Sequence, residues 1–178
     1  MRVIAGQFRS RKLKTVAGTA VRPTPDRLRE TLFNVIAPRI AGTVFLDAYA
    51  GSGAVGIEAL SRGARRIILI ERKAAALVAI RDNLASLAVQ DQATVVRGSA
   101  SVLLPNYPAD IAFIDPPYDQ ANEYEAALLA LSGTPCQLVI AQHATRLSLE
   151  ERYAELMRAR VLRQGDNSLS FYERASIR

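Results

Sequence analysis

The sequence contains little cysteine and histidine and no long apolar run, and each shortage excludes a class of protein. The single cysteine, Cys136, cannot form a disulfide within the chain and is expected to fill a core strand. The longest apolar runs, such as Ile67 to Ile70, are far too short to cross a bilayer. The first residues lack an apolar stretch followed by a cleavage site. We therefore expect a cytoplasmic protein with no membrane segment and no bound metal.

The excess of basic residues is concentrated at one end of the chain. The 178 residues are 49% hydrophobic and carry a net charge of +6, which predicts one soluble domain. Residues 1–30 hold eight basic and two acidic side chains, whereas the other residues hold 15 of each. This asymmetry is typical of a nucleic-acid-binding arm on a neutral body, although a basic face that only aids solubility has the same composition. The candidate contacts are Arg2, Arg9, Arg11, Lys12, Lys14, Arg22, Arg27 and Arg29.

Residues 1–21 are predicted to form a basic hairpin arm, and residues 22–178 are predicted to form the main domain. Within the arm, two short strands are expected near Arg2–Phe8 and Lys12–Val16, on either side of a polar turn. A helix should then begin at Asp26 and run to about Ala37, where Pro38 ends it.

Buried strands alternate with helices from residue 43 onwards, which predicts an α/β fold with a mostly parallel sheet covered on both faces. The last two apolar runs are predicted to form a hairpin around Gly165, so that one late strand is antiparallel. The predicted strands are Val44–Asp47, Ile67–Glu71, Thr94–Arg97, Ile111–Asp115, Leu138–Gln142, Ala159–Arg163 and Ser168–Arg174. The predicted helices of this region lie near Val55–Arg62, Lys73–Leu87, Asn122–Leu131 and Leu149–Glu155.

A glycine-rich loop follows the first strand of the main domain. Gly51 and Gly53 permit a tight turn and a close approach of ligand to backbone. Glu71 follows Gly51 by 20 positions, where a carboxylate can accept hydrogen bonds from ribose hydroxyls. A nicotinamide dinucleotide would place its pyrophosphate at the helix N-terminus, whereas S-adenosylmethionine carries an ammonium that suits Asp47. The arrangement Asp-x-x-x-Gly-x-Gly resembles the first motif of Rossmann-like methyltransferases, so the expected cofactor is S-adenosylmethionine.

The sequence Asp115-Pro116-Pro117-Tyr118 lies at the C-terminal end of a predicted strand. It resembles the motif of methyltransferases that act on amino groups of bases. An exocyclic amine is a poor nucleophile because its lone pair is delocalised into the ring. Asp115 can accept one N–H and the Pro116 carbonyl the other, which aims the nitrogen lone pair at the methyl carbon. Tyr118 can stack on the extruded base.

The segment 22–34, Arg-Pro-Thr-Pro-Asp-Arg-Leu-Arg-Glu-Thr-Leu-Phe-Asn, extends this resemblance beyond the two loops. Together with Arg2–Gly6 it is similar to the bacterial 16S ribosomal RNA guanine-N2 methyltransferases, the RsmD family. The resemblance implies a seven-stranded Rossmann-like sheet and methylation of N2 of a guanine in 16S rRNA, either naked or in a small ribosomal subunit particle. It also implies that the N-terminal hairpin contacts RNA and that Thr24 borders the methionine end of the cofactor.

Two positions depart from the usual methyltransferase pattern. No acid follows the third strand, so Ser99 or a backbone group is expected to bind the adenine amine of the cofactor. Gln142 and His143 stand where a glutamate is expected after the fifth strand, and His143 is interpreted as structural or RNA-facing rather than as a catalytic base.

Three other functions share part of this sequence pattern. An N6-adenine methyltransferase on RNA or DNA would carry the same catalytic motif, although no separate domain for sequence-specific DNA recognition is evident. A catalytically silent RNA-binding module would not need the intact Asp115 motif. A nicotinamide oxidoreductase is disfavoured because no catalytic Tyr-x-x-x-Lys arrangement is found.

Overall fold

The structure, a computed structural model, describes residues 1–16, 25–117 and 120–175. Within these ranges the chain forms one central sheet with helices on both of its faces. The strands are β1 (Val44–Asp47), β2 (Arg66–Glu71), β3 (Ala93–Arg97), β4 (Ile111–Ile114), β5 (Leu138–Ala144), β6 (Arg152–Tyr153), β7 (Leu156–Gln164) and β8 (Asn167–Arg174). The α-helices are α1 (Asp26–Ile40), α2 (Ala54–Ser61), α3 (Ala74–Leu87), α4 (Ala100–Leu103) and α5 (Ala121–Ser132).

The strands lie in the order β3-β2-β1-β4-β5-β8-β7-β6. Strands β1 to β5 are parallel, and β8, β7 and β6 extend the sheet by antiparallel pairing. The order reverses at β1, because β2 lies on one side of it and β4 on the other. Ligands of open α/β sheets bind at such a reversal, outside the carboxyl ends of the strands. The predicted α/β class and mostly parallel sheet are confirmed.

Alternate side chains of the central strands enter two separate cores. On one face, Phe45 of β1 and Phe113 of β4 pack with residues of α1, α2 and α3. On the other face, Leu46 and Ile114 pack with residues of α4 and α5. Because both faces are covered, β4 consists of four buried residues and shows no polar alternation.

The prediction of seven strands is wrong, because the described sheet has eight. The additional strand, β6, lies within the segment 149–155, for which a helix was predicted. Leu149 and Tyr153 are both buried and stand four positions apart, which mimics helical spacing. Instead, the chain turns at Ala154, whose φ is 49°, and β6 pairs with β7. Strands β6 and β8 therefore both run against β1–β5, where a single antiparallel strand was predicted.

Helix α1 passes through Pro38 and ends at Ile40, so the prediction that Pro38 ends it is wrong. Proline removes only one intrahelical hydrogen bond, and this one would have joined it to the carbonyl of Asn34 on the exposed side of the helix. The apolar stripe continues to Ile40, which is buried and keeps the last turn against the core.

The N-terminal segment, residues 1–16, does not form the two strands that were predicted. Arg2 and Lys12 form a single antiparallel bridge, and turns and bends occupy most of the residues between them. Val3, Phe8 and Leu13 are buried in the core that also contains α1 and α2. The segment therefore packs on the main domain along its length.

A buried carboxylate on α2 fixes the N-terminal segment in place. Glu58 is fully buried and accepts hydrogen bonds from the backbone N–H groups of Ile4 and Ala5, at 2.8 and 3.0 Å. It also accepts one from Nε of Arg62 at 2.8 Å. One turn further along α2, the backbone carbonyl of Ser61 accepts the N–H of residue 7 at 2.8 Å.

Replacing this carboxylate is expected to destabilise the whole domain. Glu58→Ala should lower the free energy of unfolding by about 3–5 kcal/mol, because it leaves two backbone N–H groups and Nε of Arg62 without their acceptor and removes the carboxylate beside the buried Arg29. Urea unfolding followed by circular dichroism measures the loss. The matched control is Glu125→Ala on the exposed side of α5, which should change stability by less than about 0.5 kcal/mol. Equal effects of the two substitutions would contradict the assignment.

Candidate active site

A cleft of about 720 Å³ opens at the carboxyl ends of β1, β2 and β4, where the strand order reverses. Six of the residues predicted to bind the cofactor or to act in catalysis line it: Asp47, Gly51, Glu71, Ser99, Asp115 and Pro116. They come from loops that are far apart in sequence, and parallel packing of the strands brings these loops to one edge. Thr24 and Tyr118 lie outside the described residues, so their predicted roles stay predictions.

The two glycines of the loop after β1 have different surroundings. Both have a left-handed backbone, with φ of 55° at Gly51 and 80° at Gly53. Gly51 lines the cleft, whereas Gly53 precedes α2 and faces Ile80, whose Cγ1 would lie 3.3 Å from an added Cβ. Gly53 supports the tight turn and the packing of α3, and its predicted contact with the cofactor stays a prediction.

Glu71 holds the loop in shape through its own carboxylate. One oxygen, Oε2, accepts the backbone N–H of Gly51 at 2.8 Å. The other, Oε1, accepts the N–H groups of Arg72 and Lys73, each at 2.8 Å. A carboxylate offers about four acceptor positions, so one remains at Oε2 for a ligand hydroxyl.

Asp47 is buried at the end of β1, with 1% of its surface exposed. Its Oδ2 accepts the backbone N–H of Gly56 at 3.1 Å, which ties β1 to the first turn of α2. Burial raises the pKa of this carboxyl from 3.8 to about 7; the Gly56 N–H opposes the shift and the charge of Glu71 adds to it. Asp47 would therefore be stabilised in its ionised form by a cation in the cleft.

Arg29 was predicted to contact RNA, and the structure contradicts this because its side chain is fully buried. Nη2 donates to the carbonyl of Arg2 at 2.6 Å and to Oδ1 of Asp26 at 3.1 Å. Nε and Nη1 have no hydrogen-bond partner among the described residues, and Nε lies 4.0 Å from Oε2 of Glu58. Burial lowers the pKa of the guanidinium, and the charges of Glu58 and Asp26 oppose that shift. Arg29 also lines the cleft.

The other described basic residues of the predicted RNA face are exposed. Arg11 donates to the carbonyl of Ser86 at 2.7 Å, and Lys14 forms an ion pair with Asp82 at 2.8 Å. Both contacts hold the N-terminal segment against α3. Arg22 lies outside the described residues. The exposed basic side chains are Arg2, Arg9, Arg11, Lys12, Lys14 and Arg27.

Sequence reasoning missed Asn83, which joins the N-terminal segment to the glycine-rich loop. Its buried amide nitrogen donates to the carbonyls of Lys14 and Ser52, each at 3.0 Å. Its Oδ1 accepts the N–H of Lys14 at 2.7 Å. A lone asparagine inside a helical pattern gives no signal for this role. Through this contact the N-terminal segment reaches the cleft, and Met1 and Val16 line its wall.

Sequence reasoning also missed a pair of side chains that crosses the cleft. The hydroxyl of Tyr49, in the loop after β1, donates to Oε2 of Glu123 in the first turn of α5 at 2.9 Å. Both residues line the cleft together with Asp115. The position of Tyr49 between Asp47 and Gly51 was a usable signal, because that loop was expected to face a ligand.

His143 lies in β5 and is buried, so it does not face RNA in this structure. Its Nε2 is 2.9 Å from Oγ of Ser170 in β8, and its Nδ1 is 3.0 Å from the carbonyl of Ala144. These contacts support a structural role for His143.

Ser99 is exposed at the cleft, where its Oγ lies 3.4 Å from that of Ser101. Across the described ranges, no cluster of three or more His, Cys, Asp or Glu could hold a metal ion, and no helix is long and apolar enough to cross a membrane.

The raised pKa of Asp47 predicts a pH-dependent stability. Because the folded state holds its proton up to about pH 7 and the unfolded state only to about pH 4, the free energy of unfolding should fall as pH rises across that window. The slope is at most about 1.4 kcal/mol per pH unit. Asp47→Asn lacks this titration, so the stability of wild type minus that of the variant should decrease from pH 4 to pH 7. If urea unfolding gives the same difference in stability between the two proteins at every pH from 4 to 7, Asp47 does not titrate in this way.

Comparison with known proteins gives matches over almost the whole chain. The model of the family Conserved hypothetical protein 95 matches residues 1–173. The Bacillus subtilis (strain 168) protein YlbH is 35% identical over 184 residues, which cover 98% of this chain and 99% of that protein. Ribosomal RNA small subunit methyltransferase D of Escherichia coli (strain K12) is 46% identical over 120 residues, 66% of this chain and 60% of that one.

Solved structures give the same result for the fold. The Escherichia coli protein yhhF has a TM-score of 0.83 and 36% identity, over 98% of this chain and 97% of that one. These matches confirm the methyltransferase fold and the resemblance noted from residues 22–34. The chain belongs to the family Conserved hypothetical protein 95, the family of the ribosomal RNA small subunit methyltransferases D.

Proposed function

We propose that this protein transfers a methyl group from S-adenosylmethionine to the exocyclic N2 amine of a guanine in 16S rRNA. The observation that carries the proposal is the position of Asp115 and Pro116, which follow β4 and line the same cleft as the glycine-rich loop after β1. The names of relatives such as the Escherichia coli enzyme support a ribosomal RNA substrate. A cytoplasmic location and a small ribosomal subunit particle as the partner are parts of the same proposal.

The residues of the cleft fit S-adenosylmethionine, which pairs a carboxylate and an ammonium with a nucleoside. The unpartnered N–H groups of buried Arg29 suit a carboxylate, since a buried donor without an acceptor is costly. Asp47 suits the ammonium because a nearby cation favours its ionised form. Glu71 suits the ribose hydroxyls through its remaining acceptor position, and Gly51 and Ser99 would border the nucleoside.

The chemistry at the amine depends on residues of this chain. When bound, S-adenosylmethionine supplies an electrophilic methyl group on a sulfonium. Asp115 accepts one hydrogen of the target amine and the Pro116 carbonyl accepts the other, so the nitrogen presents its lone pair to the cofactor side of the cleft. Pro116 is buried, which restricts the motion of its carbonyl. Asp115 then receives the proton that the nitrogen loses as the new C–N bond replaces the methyl–sulfur bond, with S-adenosylhomocysteine as the leaving group. Tyr118 is proposed to stack on the base.

The exposed basic residues of the N-terminal segment and α1 are proposed to bind the RNA backbone. Arg2, Arg9, Lys12 and Arg27 are exposed. Arg11 and Lys14 already form contacts with α3, so we expect each of them to contribute less to phosphate binding. Phosphate binding by such side chains is independent of base identity and falls with salt. Residues 1–16 of the proposed arm, which spans residues 1–21, are packed on the catalytic domain, so this part of the arm would present its basic side chains from a fixed surface.

Two cofactor analogues separate the roles of Arg29 and Glu71. S-adenosylhomocysteine has both a ribose and a carboxylate, whereas 5′-methylthioadenosine has only the ribose. Arg29→Gln should weaken S-adenosylhomocysteine about 10- to 100-fold and leave methylthioadenosine unchanged, whereas Glu71→Gln should weaken both. Isothermal titration calorimetry gives the four affinities. Retained methylthioadenosine binding shows that Arg29→Gln is folded, and equal weakening of both analogues by Arg29→Gln would refute its role.

The reaction itself is tested by identifying the product. Purified protein, methyl-labelled cofactor and small-subunit rRNA or particles from cells lacking the gene should yield labelled N2-methylguanosine after digestion. Asp115→Ala should slow single-turnover transfer by about 100-fold or more with unchanged affinity for S-adenosylhomocysteine. Asp91→Ala, an exposed aspartate outside the cleft, is the matched control. Label in N6-methyladenosine would replace the guanine assignment, and label in no nucleoside would refute the proposed activity.

A further inference from the structure

We infer that Glu123 reads the Watson–Crick edge of the target base and makes the site selective for guanine over adenine and cytosine. The inference rests on the proposed function and concerns its specificity. Glu123 lies in the first turn of α5, outside the two motifs from which the chemistry was predicted. It is half-buried and lines the same cleft as Asp115, Pro116 and Pro117.

Strand register places Tyr49, which forms a hydrogen bond with Glu123, next to the catalytic motif. Asp47 of β1 pairs with Phe113 of β4, and the N–H of residue 48 donates to the Phe113 carbonyl at 2.9 Å. Tyr49 and Asp115 each follow this pair by two residues, so they leave neighbouring strands at the same level of the sheet. The Tyr49 hydroxyl donates to Oε2 of Glu123 at 2.9 Å. The Glu123 carboxylate is therefore tethered to the loop that runs beside Asp115.

The neighbouring atom of each base distinguishes the candidate substrates. The N2 amine of guanine stands beside N1–H, a donor. The N6 amine of adenine stands beside N1 without a hydrogen, and the N4 amine of cytosine stands beside a similar N3; both are acceptors. A carboxylate can only accept, so it pairs with guanine N1–H and repels the lone pair of the other two bases. With Asp115 and the Pro116 carbonyl on the amine hydrogens, a third acceptor completes recognition of guanine alone.

The other carboxylates at the base of the cleft are already engaged by the backbone. Glu71 accepts three N–H groups, and Asp47 is buried against the N–H of Gly56. Gln120 also lines the cleft, but an amide can donate as well as accept and so does not discriminate. Burial and the hydrogen bond to Glu123 raise the pKa of Tyr49, which keeps its hydroxyl a donor. Tyr49 thus acts as a positioning residue for Glu123.

The test replaces the target guanosine, once mapped, by 2-aminopurine riboside in a reconstituted small-subunit particle. This analogue keeps the 2-amine but has an acceptor at N1. Wild type should methylate guanine at least about 10-fold faster than 2-aminopurine in single turnover. Glu123→Gln can donate to N1 through its amide, so it should lower the guanine rate about 10- to 100-fold and bring the ratio of the two rates to one or below. Comparing ratios removes the intrinsic difference in amine reactivity.

Two further variants complete the design. Tyr49→Phe removes only the hydroxyl that holds the carboxylate and should shift the ratio in the same direction by a smaller factor. Glu125→Gln, on the exposed side of the same helix, should leave both rates unchanged. Affinity for S-adenosylhomocysteine should stay constant in all variants. A wild-type ratio in both Glu123→Gln and Tyr49→Phe, with guanine still methylated, would overturn the inference and leave the proposed function standing. A wild type that methylates no guanine would overturn both.

Discussion

The buried carboxylate of Glu58 is the contact on which the shape of the cleft depends. It binds the N-terminal segment through two backbone N–H groups and lies beside the buried guanidinium of Arg29. Without it, the N–H groups of Ile4 and Ala5 would lose their acceptor on α2, only the contacts with Ser61 would remain there, and one wall of the cleft would lose support. A charged hydrogen bond in a low-dielectric interior is stronger than one at the surface, which explains how so short and turn-rich a segment is held.

Acidic side chains predominate among the buried and half-buried charged residues of the cleft. Carboxylates of Asp47, Glu71, Asp115 and Glu123 lie around a space that also receives one buried cation, Arg29. Such a surface suits a ligand with a sulfonium at its centre and with an ammonium and a carboxylate at one end. The exposed basic residues that are proposed to bind RNA lie on the outer surface instead. The proposed RNA surface and the cleft are thus separate, although the N-terminal segment contributes residues to both.

The parts of the site that follow parallel strands could be predicted from the sequence, and the parts built by packing could not. Asp47, Glu71 and Asp115 end buried strands, and parallel strands bring their carboxyl ends to one edge. Arg29 appeared to belong to an exposed helix face because its burial depends on the fold of residues 1–16. The extra strand β6 was missed because Leu149 and Tyr153 satisfy helical spacing equally well. Short apolar spacings carry too little information to separate a turn from a helix.

The hydrogen bonds of Asn83 connect the N-terminal segment to the glycine-rich loop. One amide side chain holds both the backbone of Lys14, beside the proposed RNA surface, and the carbonyl of Ser52, in the glycine-rich loop. A shift of the segment would therefore also move Ser52, a residue of the glycine-rich loop. Thermodynamic linkage requires that such coupling be reciprocal, so that the cofactor changes RNA affinity by the same factor as RNA changes cofactor affinity.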